Sequence, residues 1–219
     1  MQELKFLVEH YYQIQKHRVA MDNQVYQLKQ AEEDTTTIDY FANQLKDTEK
    51  DVLRYIKQRV RKYDIWNKFL KHIKGIGPAL GASLIVTIDV HKTKHVSSLW
   101  KYAGLTPESK RVKGQKIDWN PFLKTTCFKI GQAFVKTRGY YRDVYDEAKE
   151  GYKKKHPERI EENGKVKYNK GHIDMMARRY VVKIFLKDLW LFWRELEGLE
   201  ITEPYVISHL GHDKREKGY

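Results

Sequence analysis

The chain has 219 residues, 42 Lys and Arg against 29 Asp and Glu, a formal net charge of +13 and a single cysteine. With 41% hydrophobic and 13% aromatic residues it carries enough apolar side chains for a real core, which excludes a disordered chain, and Cys127 alone excludes an internal disulfide framework. The cationic excess points to a polyanion, DNA or structured RNA, while charges interrupt every apolar run before membrane-spanning length, so no membrane partner is expected and the protein should be cytoplasmic, associated with nucleoid or RNA.

Residues 2–32 place Leu4, Leu7, Tyr11, Ile14, Arg18, Met21, Val25 and Leu28 at alternating three- and four-residue intervals, with no Gly or Pro between them. This predicts a long helix with a coiled-coil seam, breached once at Arg18. The polar run Glu33 to Thr37 breaks the pattern, and a threonine there is expected to cap a second helix from about Ile38 to Tyr63. That helix puts Ile38, Ala42, Leu45, Val52, Ile56 and Tyr63 on one face. A short turn between two long helices implies an antiparallel hairpin, a first unit spanning 1–65. Its outer side becomes basic near the end, at Arg54, Lys57, Arg59, Arg61 and Lys62. This run is a candidate nucleic-acid contact, against the plainer reading of a solvated helix face.

The stretch Phe69 to Ile88, FLKHIKGIGPALGASLIVTI, is the centre of the chain. Phe69, Leu70 and Ile73 fit the inner face of a helix stopping at Gly75, and Pro78 suits the first turn of the next. A tight turn is expected at Gly75, Ile76 and Gly77, where glycine permits left-handed backbone and close approach. Free N–H groups at the start of the second helix, with its dipole, favour a phosphate oxygen, and Lys71 and Lys74 add charge. The pattern is a helix-hairpin-helix over 69–88. A helical corner in a core is the alternative.

Beyond Ile88 a polar loop leads to a short helix, Ser97 to Ala103, that stops at Gly104 with Pro107 beyond it. Glu108 to Lys116 shows no period and reads as a loop or short hairpin carrying Lys110, Arg111, Lys113 and Lys116. Any strand in the protein is expected between Thr106 and Asp118. Pro121 opens a helix to Lys136 that carries Lys124, with Leu123, Phe128, Ile130, Ala133 and Phe134 as core candidates. Tyr140 begins a charged helix to about Lys149. Residues 150–171 read as an exposed excursion. Ile173 to Leu196 is a long helix with a wide apolar surface, expected to lie across the core, and 206–219 is a polar tail. The expected fold class is therefore all-α: a long antiparallel helical hairpin, then a compact helical domain over 66–205.

Several segments in order resemble a known family. They are I-x-G-I-G-P from Ile73, Leu99-x-x-Tyr102-Ala103-Gly104-Leu105-Thr106-Pro107, Asn120-Pro121-Phe122-Leu123-Lys124, Tyr140-Tyr141, Ala177-Arg178 in the last helix and Glu203-Pro204-Tyr205. Together they resemble the C-terminal transposase domain of insertion-sequence family one hundred and ten, the bridge-RNA-guided recombinases, and the helical hairpin resembles the coiled coil preceding it. The resemblance implies dimerisation through that coiled coil. Since the seam is also wider than one partner helix covers, a homodimer is expected, with closure inside one chain as the alternative. Full-length members begin with a RuvC-like nuclease domain, whereas Met1 here opens directly into the coiled coil. A RuvC-like nuclease acting in trans is therefore the implied partner for any catalysis.

The family's nucleophilic serine lies a few residues after G-L-T-P and is followed by glycine. Ser109 is the serine of that stretch, but it sits earlier and Lys110 follows it; Lys110 and Arg111 could stabilise a phosphorane, with no partner base evident. His91 with His95, and His209 with His212, have metal-ligand spacing, yet with one cysteine and no H-E-x-x-H a zinc site is not expected. Asp143 and Asp146 read as solvated carboxylates. No Walker loop or dinucleotide fingerprint occurs, so no cofactor is expected. The first reading is a transposase-related protein that grips nucleic-acid backbone without catalysis of its own. The alternatives are a serine recombinase completed in trans and a coiled-coil scaffold.

Overall fold

The computed structural model describes residues 1–160 and 166–201. Its first two helices, α1 (Gln2–Gln30) and α2 (Thr36–Val60), form the long antiparallel hairpin. Leu4, Tyr11 and Val25 of the seam are buried, joined by Val8 from outside the heptad, and Ala42, Ile56 and Val60 face them from α2. The breach at Arg18 is answered by α2: its guanidinium pairs with Glu49, and Gln15 Nε2 donates to the same carboxylate at 2.9 Å. Asp22 adds a second partner at 2.6 Å. The seam thus closes inside one chain, with an ion pair where the heptad has no apolar residue. Thr35 occupies the N-cap of α2 but makes no side-chain cap bond. Asp34 Oδ1 instead accepts the Thr36 N–H at 2.9 Å, so the aspartate does the work expected of a threonine.

The compact part follows in order: α3 (Asp64–Lys68), a 3-10 turn (Leu70–His72), α4 (Pro78–Thr87), α5 (Val96–Tyr102), α6 (Pro121–Lys136), α7 (Tyr140–Lys155) and α8 (Lys170–Leu196). The helix expected to run up to Gly75 is broken, because Phe69 (φ −133°, ψ −69°) leaves helical backbone to bury its ring between Phe185 and Phe192. The architecture is all-α. The strands among the described residues, β1 (Arg159–Ile160) and β2 (Val166–Lys167), form a two-residue antiparallel pair. They lie in the charged excursion and not between Thr106 and Asp118. The 108–116 stretch has no apolar face to pair over, whereas the stretch after α7 is tied down by aromatic stacking at its base.

Helix α8 crosses the core as its wide apolar surface predicts, burying Ala177, Val181, Phe185, Leu186, Leu189, Trp190 and Trp193. Its polar groups also staple loops. Trp190 Nε1 donates to Thr93 O at 2.7 Å, and buried Arg194 donates to Val90 O at 3.0 Å. Trp100 Nε1 reaches back from α5 to Lys183 O at 3.0 Å. The root of the hairpin belongs to the same core cluster, through Leu4, Val8, Tyr11, Ile56 and Val60. Cys127 is a core residue whose thiol burial pushes up to about 12. Phe128, expected in the core, is 46% exposed, because Leu123, Ile130 and Phe134 already fill the inner face of α6. Among the described residues no helix is long and apolar enough to cross a membrane. The motif Glu203-Pro204-Tyr205, the pair His209 and His212 and the tail lie outside the described residues.

Candidate nucleic-acid interface

The glycine turn forms, and its two glycines differ. Gly75 carries the positive φ, +98°, and a Cβ there would lie 3.0 Å from Thr137 Oγ1 at the end of α6. Only glycine lets the turn close on that helix. Gly77 is extended (φ −82°, ψ 173°), exposed, and has open space around its Cα. Ile76 is buried and anchors the turn from below. Pro78 takes the first helical position of α4, so the first amides of that helix, at Ala79 and Leu80, have no intrahelical acceptor. Lys71 and Lys74 are exposed beside the turn. Lys74 lays its methylenes across Gly139 and, with Lys68, His72 and Arg142, rims a hollow of about 410 Å³ floored by Phe69, Ile73 and Phe134.

The basic end of α2 stands apart from that hollow. Arg54 is drawn to Asp51 at 3.1 Å and Arg59 to Glu3 at 2.8 Å, which spends part of its charge internally. Lys57, Arg61 and Lys62 are exposed and pair with no carboxylate among the described residues. Along the loop, Arg111, Lys113 and Lys116 are exposed as well.

Ser109, Lys110 and Lys124, by contrast, come together in one cleft of about 290 Å³. The loop 104–110 forms one wall, α6 the floor through Lys124, Cys127 and Phe128, and α8 the other wall through Met175, Arg178 and Arg179. Gly104 ends α5 at φ +65°; a Cβ there would lie 2.9 Å from both Lys124 Cδ and Trp119. Without one, the lysine stem lies flat across the loop. Its ammonium then sits 4.3 Å from the Trp119 ring centre and donates to Ser109 O at 3.2 Å. The Ser109 hydroxyl meets that of Thr106 at 2.9 Å. Glu108 stands beside them, its carboxyl held below the usual range by its own backbone N–H and by the Thr106 hydroxyl.

Charge is crowded in this cleft. Burial, and then the nearby Arg179, depress the Lys124 ammonium below its ordinary value, and the same two causes depress Lys183 one turn further along α8. Arg178 is held by Asp174 at 2.7 Å, whereas Arg179 is exposed and pairs with no carboxylate among the described residues. Arg179 thus stands close enough to both lysines to disfavour their charged forms, in a cleft that already withholds part of their water.

Sequence reasoning missed Arg179 and Lys183, and it met Arg178 and Thr106 only as parts of motifs. The signal was the Arg178-Arg179 pair inside a long helix with a wide apolar surface, where nothing in the core needs two guanidinium groups. Among the described residues no group of three or more His, Cys, Asp and Glu side chains is placed to hold a metal ion.

Residues 67–145 match the family model described as Transposase IS116/IS110/IS902 family, which supports a transposase-type domain in this segment. The match covers the glycine turn, the Ser109 loop and α6, and ends within α7. No curated protein matches the chain.

Proposed function

We propose that this transposase-type domain grips nucleic acid and that a phosphodiester seats in the Ser109 cleft. The amides at the start of α4 and the basic groups at Arg54 to Lys62 and Lys110 to Lys116 are further backbone contacts. The observation that carries the reading is the convergence of Lys110, Lys124, Arg178 and Arg179 on the Ser109 and Thr106 hydroxyls, from one loop and two helices distant in sequence. A phosphate oxygen accepts from every one of these groups and relieves the mutual repulsion of Lys124 and Arg179.

Fluorescence anisotropy against duplex DNA and structured RNA over a salt series tests it. Counterion release makes log affinity fall with log salt, and Lys124→Ala with Arg179→Ala should weaken binding and reduce the slope by about two. Wild-type affinity and slope in that double variant would place the interface elsewhere. Negligible affinity at low salt would leave the scaffold reading.

One observation favours a second reading, in which Ser109 is a nucleophile and a RuvC-like nuclease completes the reaction. Its hydroxyl already bonds to Thr106, which in turn stands by the Glu108 carboxylate. Attack of Ser109 Oγ on phosphorus would form a phosphodiester to serine and break the bond from phosphorus to the sugar oxygen, which would leave with a proton from water. The serine proton would pass to Thr106, and the threonine proton to Glu108. A covalent protein–nucleic acid adduct, lost in Ser109→Ala, is the expected signature; no adduct in the presence of the nuclease leaves the binding reading alone.

A further inference from the structure

The end of α7 and the start of α8 are bridged by a ladder of four rings. Tyr152 stacks with His156 at 6.2 Å, His156 with Tyr168 at 4.6 Å, and Tyr168 leans on His172 at 5.2 Å. Tyr168 reaches this position from β2 with φ +58°, left-handed backbone that a large side chain rarely adopts. The strain sits at the residue whose ring fills the middle of the ladder, which points to a use for that ring. Cations gather on it: Arg159 lies 5.6 Å and Lys167 5.5 Å from the ring centre. Beside His156 and Tyr168 runs a hollow of about 350 Å³, with Lys153 and Lys170 at its rim and Ile173 at its base. Among the described residues Glu158 is the one carboxylate lining it.

We propose that this hollow is a second nucleic-acid site, which takes an unpaired nucleotide of a single-stranded segment. A base entering the hollow packs against the His156 and Tyr168 rings that line it, and ammonium groups at the rim meet the phosphates on either side of it. A hollow of this size suits one nucleotide. A duplex keeps its bases stacked inside and cannot use the rings, so the site separates single from double strands, which the Ser109 cleft does not. The two sites share no residue, so either stands if the other fails.

The test uses the full chain with labelled oligo(dT), a duplex of equal length, and a 5-iodouracil oligonucleotide for photo-cross-linking. Tyr168→Gly removes the ring and relieves the backbone. It should weaken oligo(dT) binding by about fivefold or more while duplex affinity stays within about twofold. Cross-links should map to residues 152–172. Arg159→Ala with Lys170→Ala touches only exposed side chains and should show the same selective loss, which keeps the test valid if Tyr168→Gly unfolds. Equal losses for single and double strands, no loss in the exposed double variant, or stronger competition by a poly-glutamate peptide than by oligo(dT) would each overturn the proposal and leave the ladder as a clamp on the β pair.

Discussion

At the scale of single residues, buried polar groups separate scaffold from site. Asp188 is 4% exposed in the middle of α8, accepts from the Tyr141 hydroxyl at 3.1 Å and lies 3.3 Å from Lys187 Nζ. Burial raises its carboxyl above the usual range, and Lys187 and Tyr141 offset part of that. The folded state therefore holds the proton more tightly than the unfolded chain. The stability this provides is fully present below the ordinary carboxylate pKa and is lost as pH rises through the raised one. Glu49 and Asp89, whose carboxyls are lowered, act with the opposite sign. Subtracting the urea-unfolding free energy of Asp188→Asn from that of wild type at each pH cancels them. This difference should fall steadily as pH climbs from the ordinary carboxylate range toward neutrality; a flat difference would show that Asp188 titrates normally. Tyr141 was legible in the sequence only as half of a motif. That its hydroxyl meets a carboxylate 47 positions away was not, because neither position breaks an apolar pattern in a way that names its partner.

At the scale of elements, the glycine turn shows how near a local reading comes. Gly75, Gly77 and Pro78 announce a turn and a helix start, and α4 begins at Pro78. Which glycine bears the strained backbone depends on how α6 closes over the turn. The two should therefore respond differently. Gly75→Ala forces a Cβ toward Thr137 at positive φ and should cost about 1–3 kcal/mol of stability. A Cβ at Gly77 meets nothing within 4 Å, so Gly77→Val should cost far less stability than Gly75→Ala while it crowds the start of α4. If the turn grips phosphate, Gly77→Val weakens nucleic-acid binding more than Lys74→Ala does; wild-type binding by Gly77→Val would make the turn a core corner only. The hairpin was read from its heptad just as directly. The partner of Arg18 was not, since Glu49 looks like any surface glutamate until α2 folds back.

For the whole molecule, the open question is what meets the hairpin. Its seam is satisfied internally, yet Phe6, Val19 and Tyr26 on α1 and Tyr40, Phe41 and Tyr55 on α2 remain exposed. Apolar surface of this kind on a long helical arm is suited to a second copy. Light scattering at micromolar protein should give twice the 26.2 kDa chain mass, and Tyr40→Ser with Phe41→Ser should shift it to the monomer. A monomer in wild type would leave these aromatics to another partner.

The sequence by itself determined the long helices, the hairpin, the glycine turn and the match of one segment to a transposase family. Each is written in local spacing: heptads, caps and Gly-Pro punctuation act over a few residues and need no distant partner. It also singled out Ser109, Lys110 and Lys124 as candidates, because basic loops and motifs are local too. Only the tertiary structure decided that these three share a cleft with Arg178 and Arg179, that Phe128 faces outward, and that Tyr168 stacks between two histidines. Those facts rest on α8 packing across α6 and α7. The packing depends on how side chains of widely separated segments fill one core, and no spacing along a single chain encodes which of them will face one another.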